Sequence, residues 1–96
     1  MAYDPGAIDA ALAAAVGDEP ALVAELRRSF VDGAVAAVRA MRAADGDGSW
    51  AVAAMRLRGL AASFGAVRLM ALAATAAAGG RDPATLAKLE RAVARL

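Results

Sequence analysis

The sequence predicts an all-α fold from its alanine content, its apolar spacing and the residues between its apolar segments. Alanine, the residue with the highest helix propensity, fills 31 of the 96 positions, whereas β-branched residues are scarce. Apolar residues recur at helical spacing between short segments rich in Gly, Pro and Asp. A chain of this length has room for one modest core, so we expect residues 1–96 to form a single helical domain.

Two helices are predicted in the first half of the chain. Asp4-Pro5 predicts the start of a short N-terminal helix, because Asp is a good N-cap and Pro suits the first helical position. Gly17 marks its end. Asp18-Glu19-Pro20 predicts the start of a longer second helix in the same way. The apolar stripe of the second helix runs through Leu22, Leu26, Phe30, Ala34, Ala37, Val38 and Met41.

Two further helices are predicted after a Gly- and Asp-rich interruption. The segment Asp45-Gly46-Asp47-Gly48 should break the chain, and Ser49 is expected to cap a third helix over residues 50–63. Gly65 is expected to mark a bend before a fourth helix over residues 66–78.

The last helix is predicted after Gly79-Gly80, where Asp82 can act as the N-cap and Pro83 can take the first helical position. Its apolar stripe is Leu86, Leu89, Val93 and Leu96. Long helices joined by short connections favour antiparallel neighbours. We therefore expect an up-down-up-down antiparallel four-helix bundle with the short N-terminal helix packed across it.

The composition excludes the common kinds of catalytic and metal site. The chain contains neither histidine nor cysteine, so a Ser/His/Asp triad and a thiolate metal site are both impossible. The sequence also lacks a glycine-rich phosphate loop and paired carboxylates on one helix face. We therefore expect no enzyme activity, no catalytic residue, no cofactor and no metal.

Charge and hydropathy limit the partners and the location. The formal net charge is +1, which gives no reason to expect nucleic-acid binding. The longest uncharged run, Leu69–Gly80, has 12 residues, whereas a membrane-spanning helix needs about 20. No secretory signal pattern is visible at the N-terminus, because Asp4-Pro5 interrupts it. A cytoplasmic protein without membrane contact is expected.

Positive charge is concentrated in the second half of the chain. No acidic residue lies between Asp47 and Asp82. That interval contains Arg56, Arg58, Arg68 and Arg81. The pattern allows two interpretations, a set of solvated arginines on helix surfaces or a docking surface for an acidic partner.

The third predicted helix has an apolar outer face. With about 100° per residue and Leu57 at the centre of the buried side, Met55 lies nearly opposite. The core side then holds Trp50, Ala53, Ala54, Leu60, Ala61 and Phe64. The outer side holds Ala51, Val52, Gly59 and Ala62 around Met55, flanked by Arg56 and Arg58. An outer face with so few polar side chains indicates either cover by another chain or the general abundance of alanine.

The same helix resembles the signature helix of histidine phosphotransfer (HPt) domains. That signature is His, any residue, Leu, Lys or Arg, Gly, small residues, an apolar residue and Gly-Ala. The positions in register here are Leu57, Arg58, Gly59, Ser63, Phe64, Gly65 and Ala66. The segment from Val16 to Pro20, leading to Leu26 and Phe30, also resembles the first part of HPt domains. The resemblance extends over nearly the whole chain.

One departure from the family pattern changes the expected chemistry. Met55 occupies the position of the phosphorylated histidine. A thioether has no titratable proton and cannot replace an imidazole that is phosphorylated on nitrogen. The resemblance implies that Arg58 would help to hold a phosphoryl group and that Gly59 clears space beside the acceptor. It also implies that the surrounding surface docks onto receiver or histidine kinase domains.

The predicted function is an HPt-like module of a two-component phosphorelay that binds receiver or histidine kinase domains without carrying phosphate on histidine. The residues expected to contact the partner are Val52, Met55, Arg56, Arg58, Gly59, Ala62 and Ser63. One alternative is a small helical self-association module that forms a homodimer through the outer face of the third helix. Another is a true HPt phosphotransfer protein whose acceptor histidine was replaced by Met55.

Overall fold

The computed structural model describes Leu12 and residues 19–96. This part of the chain forms four helices and no strand, which confirms the predicted all-α class. The helices are α1 (Pro20–Arg42), α2 (Asp47–Ser63), α3 (Val67–Gly79) and α4 (Pro83–Ala94). The predicted short N-terminal helix lies outside the described residues except for Leu12, which is helical and buried.

The start of α2 differs from the prediction. The helix begins at Asp47, three residues before the expected first residue, and Gly46 is its N-cap with no side-chain capping bond. Ser49 is therefore not the cap; it lies in the first turn, where its hydroxyl donates to Gly46 O and to Asp45 Oδ1, each at 3.2 Å. Asp47 places a negative charge at the positive end of the helix dipole, which favours the earlier start.

The beginnings of α3 and α4 agree more closely with the sequence patterns. Before α3, Gly65 has a φ of 74°, a left-handed conformation that glycine adopts without strain. The predicted N-cap of α4 is confirmed, because the Asp82 carboxylate accepts bonds from Thr85 N at 3.1 Å and from Thr85 Oγ1 at 2.6 Å. These two hydrogen bonds favour the charged carboxylate and lower the pKa of Asp82, the side-chain bond being the larger cause.

The four helices pack around one core. Helix α1 contacts α2 and α4, and α3 contacts the same two helices, an arrangement consistent with a helical bundle. The molecule is compact and somewhat elongated, with extents of 43 × 23 × 18 Å. Among the residues that the structure describes, the largest fully buried side chains are Phe30, Met41, Leu57, Leu69 and Leu89.

Two aromatic contacts connect helices across this core. The indole Nε1 of Trp50 donates to Ala76 O at 2.8 Å, which satisfies its one polar atom and joins α2 to α3. The rings of Phe30 and Phe64 stack with centroids 4.9 Å apart and join α1 to the end of α2. Among the described residues, no buried side-chain nitrogen or oxygen lacks a hydrogen-bond partner.

The connections at one end of the molecule are joined by Arg81. Its backbone N–H donates to Asp47 Oδ1 at 3.0 Å, and its Nη1 donates to Ala44 O at 3.0 Å. Gly80 has a φ of 74°, and a side chain there would come within 3.2 Å of the same Asp47 oxygen. The α1–α2 and α3–α4 connections therefore meet. Elsewhere, Arg42 of α1 forms an ion pair with Glu90 of α4.

In the described part of the chain, no helix has the length and apolar character needed to cross a membrane.

Candidate functional site

Helix α2 presents one face to the core and the opposite face to solvent. Leu57 is 0% exposed, whereas Met55 is 48% and Val52 64% exposed, so the predicted orientation of this helix is confirmed. The side toward the core buries Trp50, Ala53, Ala54, Leu57 and Ala61. All the residues predicted to contact a partner are exposed: Val52, Met55, Arg56, Arg58, Gly59, Ala62 and Ser63.

The apolar part of this exposed face is a continuous strip. Val52, Met55, Gly59 and Ala62, which we call the outer strip, follow one another at intervals of three or four residues and share one side of the helix. The large apolar residues exposed in the described part of the chain are Leu22, Val52, Met55 and Val67. Two of these four belong to the outer strip. Single exposed apolar residues are ordinary, but two neighbours on one helix face form a patch.

Gly59 is a glycine that the fold does not require. It lies inside α2 with a negative φ, and a Cβ built at this position would meet no atom of the described residues within 4 Å. A glycine inside a helix costs about 1 kcal/mol relative to alanine. Gly33 in α1 differs, because a Cβ there would come 2.9 Å from Leu60 Cδ2. Close helix packing accounts for Gly33, whereas Gly59 leaves open space one turn from Met55.

Two arginines flank the outer strip with their charges uncompensated. Arg56 and Arg58 are exposed, and neither forms an ion pair or a side-chain hydrogen bond with the described residues. Arg81, which lies in the same acid-free interval, differs from these two arginines because its guanidinium donates to Ala44 O. The Ser63 hydroxyl donates to Gly59 O at 3.0 Å, so its proton is used within the helix while its oxygen can still accept. The charge available beside the strip is therefore positive.

A groove beside Val52 was not predicted from the sequence. It lies between the end of α1 and the first half of α2 and has a volume of about 540 Å³. Its lining residues are Ala40, Ala43, Ala44, Asp45, Ser49, Val52, Ala53 and Arg56. The alanines that line it have no distinctive spacing, so no sequence signal marked this groove. Val67, exposed at the start of α3, was also missed.

The exposed groups of α2 differ between its first turn and the rest of the helix. The first turn exposes the Asp47 carboxylate and the Ser49 hydroxyl, and the rest of the helix exposes apolar side chains, the Arg56 and Arg58 guanidinium groups and the Ser63 hydroxyl. Within the part of the chain that the structure describes, no three acidic side chains come together as metal ligands.

Comparison with models of known protein families, with curated proteins and with solved structures returned no match for this chain. Its function is therefore inferred from the residues and geometry of α2.

Proposed function

We propose that the chain is an HPt-like module of a two-component phosphorelay, which binds receiver or histidine kinase domains and carries no phosphate on histidine. The observation on which this depends is the solvent-exposed outer strip of α2, which includes Met55, the residue that the resemblance aligns with the family's acceptor. We also propose a cytoplasmic location, where such partners act.

The proposal includes the up-down-up-down direction of the four helices and a short N-terminal helix packed on them. The meeting of the α1–α2 and α3–α4 connections through Arg81 and Asp47 supports the first point, because alternating helices bring these connections to the same end. The burial of Leu12 supports the second.

The residues around Met55 support partner recognition. Arg58 and Gly59 keep the positions that flank the acceptor in the family, and both are exposed here. The open space at Gly59 would allow another backbone or side chain to approach α2 closely. No contact with the described residues accounts for that space, and a contact with a partner would use it.

The charges beside the strip support an acidic partner. Receiver domains carry a cluster of acidic residues around their phosphorylated aspartate. Arg56 and Arg58, which have no carboxylate partner among the described residues, would complement such a cluster at the rim of a contact centred on Met55 and Val52. Complementary charges mainly accelerate association and select the partner.

Phosphorylation assays test the absence of phosphotransfer. The chain is incubated with receiver domains, an active hybrid histidine kinase and ATP labelled in the γ-phosphate. We expect receiver binding and no acid-labile label on this chain. Stable acid-labile label on it would overturn the proposal.

A Met55→His variant tests the inferred position of the acceptor. We expect this variant to gain acid-labile label, because Arg58 and Gly59 are already in place. Val67→His is the matched control, since Val67 is 68% exposed but lies on α3, and it should gain none. The placement of Met55 would be contradicted if both variants were labelled. It would also be contradicted if neither variant were labelled and the chain did not bind receiver domains.

A further inference from the structure

The groove beside Val52 carries opposite charges near its two ends. Asp45 Oδ1 accepts a hydrogen bond from the Ser49 hydroxyl at 3.2 Å, which holds the carboxylate over the first turn of α2. Arg56 follows Ser49 by seven residues, about 10 Å along the helix. Both charged side chains are exposed, and within the described part of the chain neither forms an ion pair. The groove therefore has a negative end and a positive end.

An apolar side chain lies between these charges. Val52 is three residues after Ser49 and four before Arg56, so the three share one face of α2. Val52 is 64% exposed, and four of the eight residues that line the groove beside it are alanines. Small side chains leave room for another helix to approach closely.

We propose that this groove is a self-association surface for a second copy of the chain. In a two-fold dimer, the same patch of each copy must complement itself. Two antiparallel α2 helices, crossing at Val52, would place Asp45 of each copy opposite Arg56 of the other. Both contacts then join opposite charges, while the two Val52 side chains meet near the two-fold axis above the alanines.

The charge pattern favours a second copy of the chain in the groove and a different kind of partner at the centre of the outer strip. Around Met55 the available charges are those of Arg56 and Arg58, so a second copy placed there would bring like charges together. An acidic partner suits that surface. The groove instead has a negative charge at Asp45 and a positive charge at Arg56, so a two-fold axis between them brings opposite charges together.

The two surfaces share Val52 and Arg56, so self-association would cover part of the proposed docking surface. Dimer formation and partner binding would then compete. The dimer is inferred from the groove alone and does not depend on the phosphorelay assignment.

Sedimentation equilibrium from micromolar to millimolar concentration tests the dimer, with Asp45→Arg and Arg56→Asp as charge-reversal variants. Each variant alone places like charges at both contacts and should raise the dimer dissociation constant by about tenfold. An equimolar mixture of the two variants restores opposite charges at both contacts and should associate like the wild type. Arg68→Asp, which changes an exposed arginine of α3 outside the groove, should leave the constant unchanged. Circular dichroism checks that each variant keeps its helical content.

Three results would overturn the proposal: a wild-type chain that stays monomeric to millimolar concentration, a dimer whose dissociation constant neither reversal changes, or a variant mixture that associates no better than the separate variants. If a charge-reversal variant loses its helical content, Val52→Asp is used in its place to weaken the dimer. A Val52→Asp variant with an unchanged dimer dissociation constant would contradict the proposed contact.

Discussion

At the scale of single residues, Gly59 can be separated from the requirements of the fold. Because a Cβ at position 59 meets no atom of the described part of the chain within 4 Å, Gly59→Ala should raise the free energy of unfolding by about 1 kcal/mol through helix propensity. Urea denaturation measures this change. Gly33→Ala is the matched control and should gain less or lose stability, because its Cβ would come 2.9 Å from Leu60 Cδ2. A destabilised Gly59→Ala variant would mean that the fold itself requires this glycine.

Leu57 and Met55, two residues apart on α2, should differ strongly in their contribution to stability. Leu57 is fully buried, so Leu57→Ala should cost about 2–5 kcal/mol through lost burial and a cavity. Met55 is half exposed, and Met55→Ala should cost much less. Chemical denaturation of the two variants gives the comparison. Equal, large losses at both positions would mean that α2 faces the core with a different side.

Residue-level patterns predicted which side of α2 faces solvent, because helical period alone fixes that. They did not predict the role of Arg81, which lies in the acid-free interval and fitted either a solvated arginine or part of a docking surface. Its guanidinium bonds to Ala44 O, 37 residues away, and no local pattern could indicate so distant a contact.

At the scale of helices, the start of α4 depends on Asp82. Its lowered pKa means that the charged form stabilises the folded state above the pKa of the unfolded chain, and that this contribution is lost as pH falls through the folded pKa. Asp82→Ala should therefore lower the melting temperature at neutral pH, and the difference from wild type should shrink in acid. Asp32→Ala, at an exposed aspartate of α1, is the control. A difference for Asp82→Ala that is independent of pH would contradict the capping role.

The outer face of α2 should control partner binding in two distinguishable ways. Arg56→Glu and Arg58→Glu should slow association with a receiver domain and weaken its salt dependence, because they remove rim charge. Val52→Asp should accelerate dissociation, because it removes an apolar anchor. Surface plasmon resonance at several salt concentrations separates the two rates. Val67→Asp on α3 is the control and should change neither, and circular dichroism should find every variant helical.

The ends of the helices were predictable where local chemistry decides them. Asp82-Pro83 combines a capping carboxylate with a residue suited to the first turn, and α4 begins there. The start of α2 was harder to predict, because Gly46, Asp47, Gly48 and Ser49 offer several acceptable first residues. The bond from Arg81 N to Asp47 Oδ1 joins positions 34 apart and occurs only when α3 and α4 are in place.

At the scale of the whole molecule, the sequence determined the helical class and most of the core. The alanine content and the apolar stripes were sufficient for that, because each helix carries its own period. The groove between α1 and α2 could not be predicted, since its shape depends on how the two helices pack. On α2 we therefore propose two neighbouring surfaces, a basic one around Met55 and a self-complementary one beside Val52.

The outer face of α2 is proposed to bind receiver domains. A titration of the ¹⁵N-labelled chain with unlabelled receiver domains, followed by nuclear magnetic resonance, tests this binding. We predict that at least one receiver domain shifts the amide signals of Met55, Arg58 and Gly59, with the signals of α4 unchanged. Absence of binding to every receiver domain tested, or shifts confined to helices other than α2, would contradict the claim.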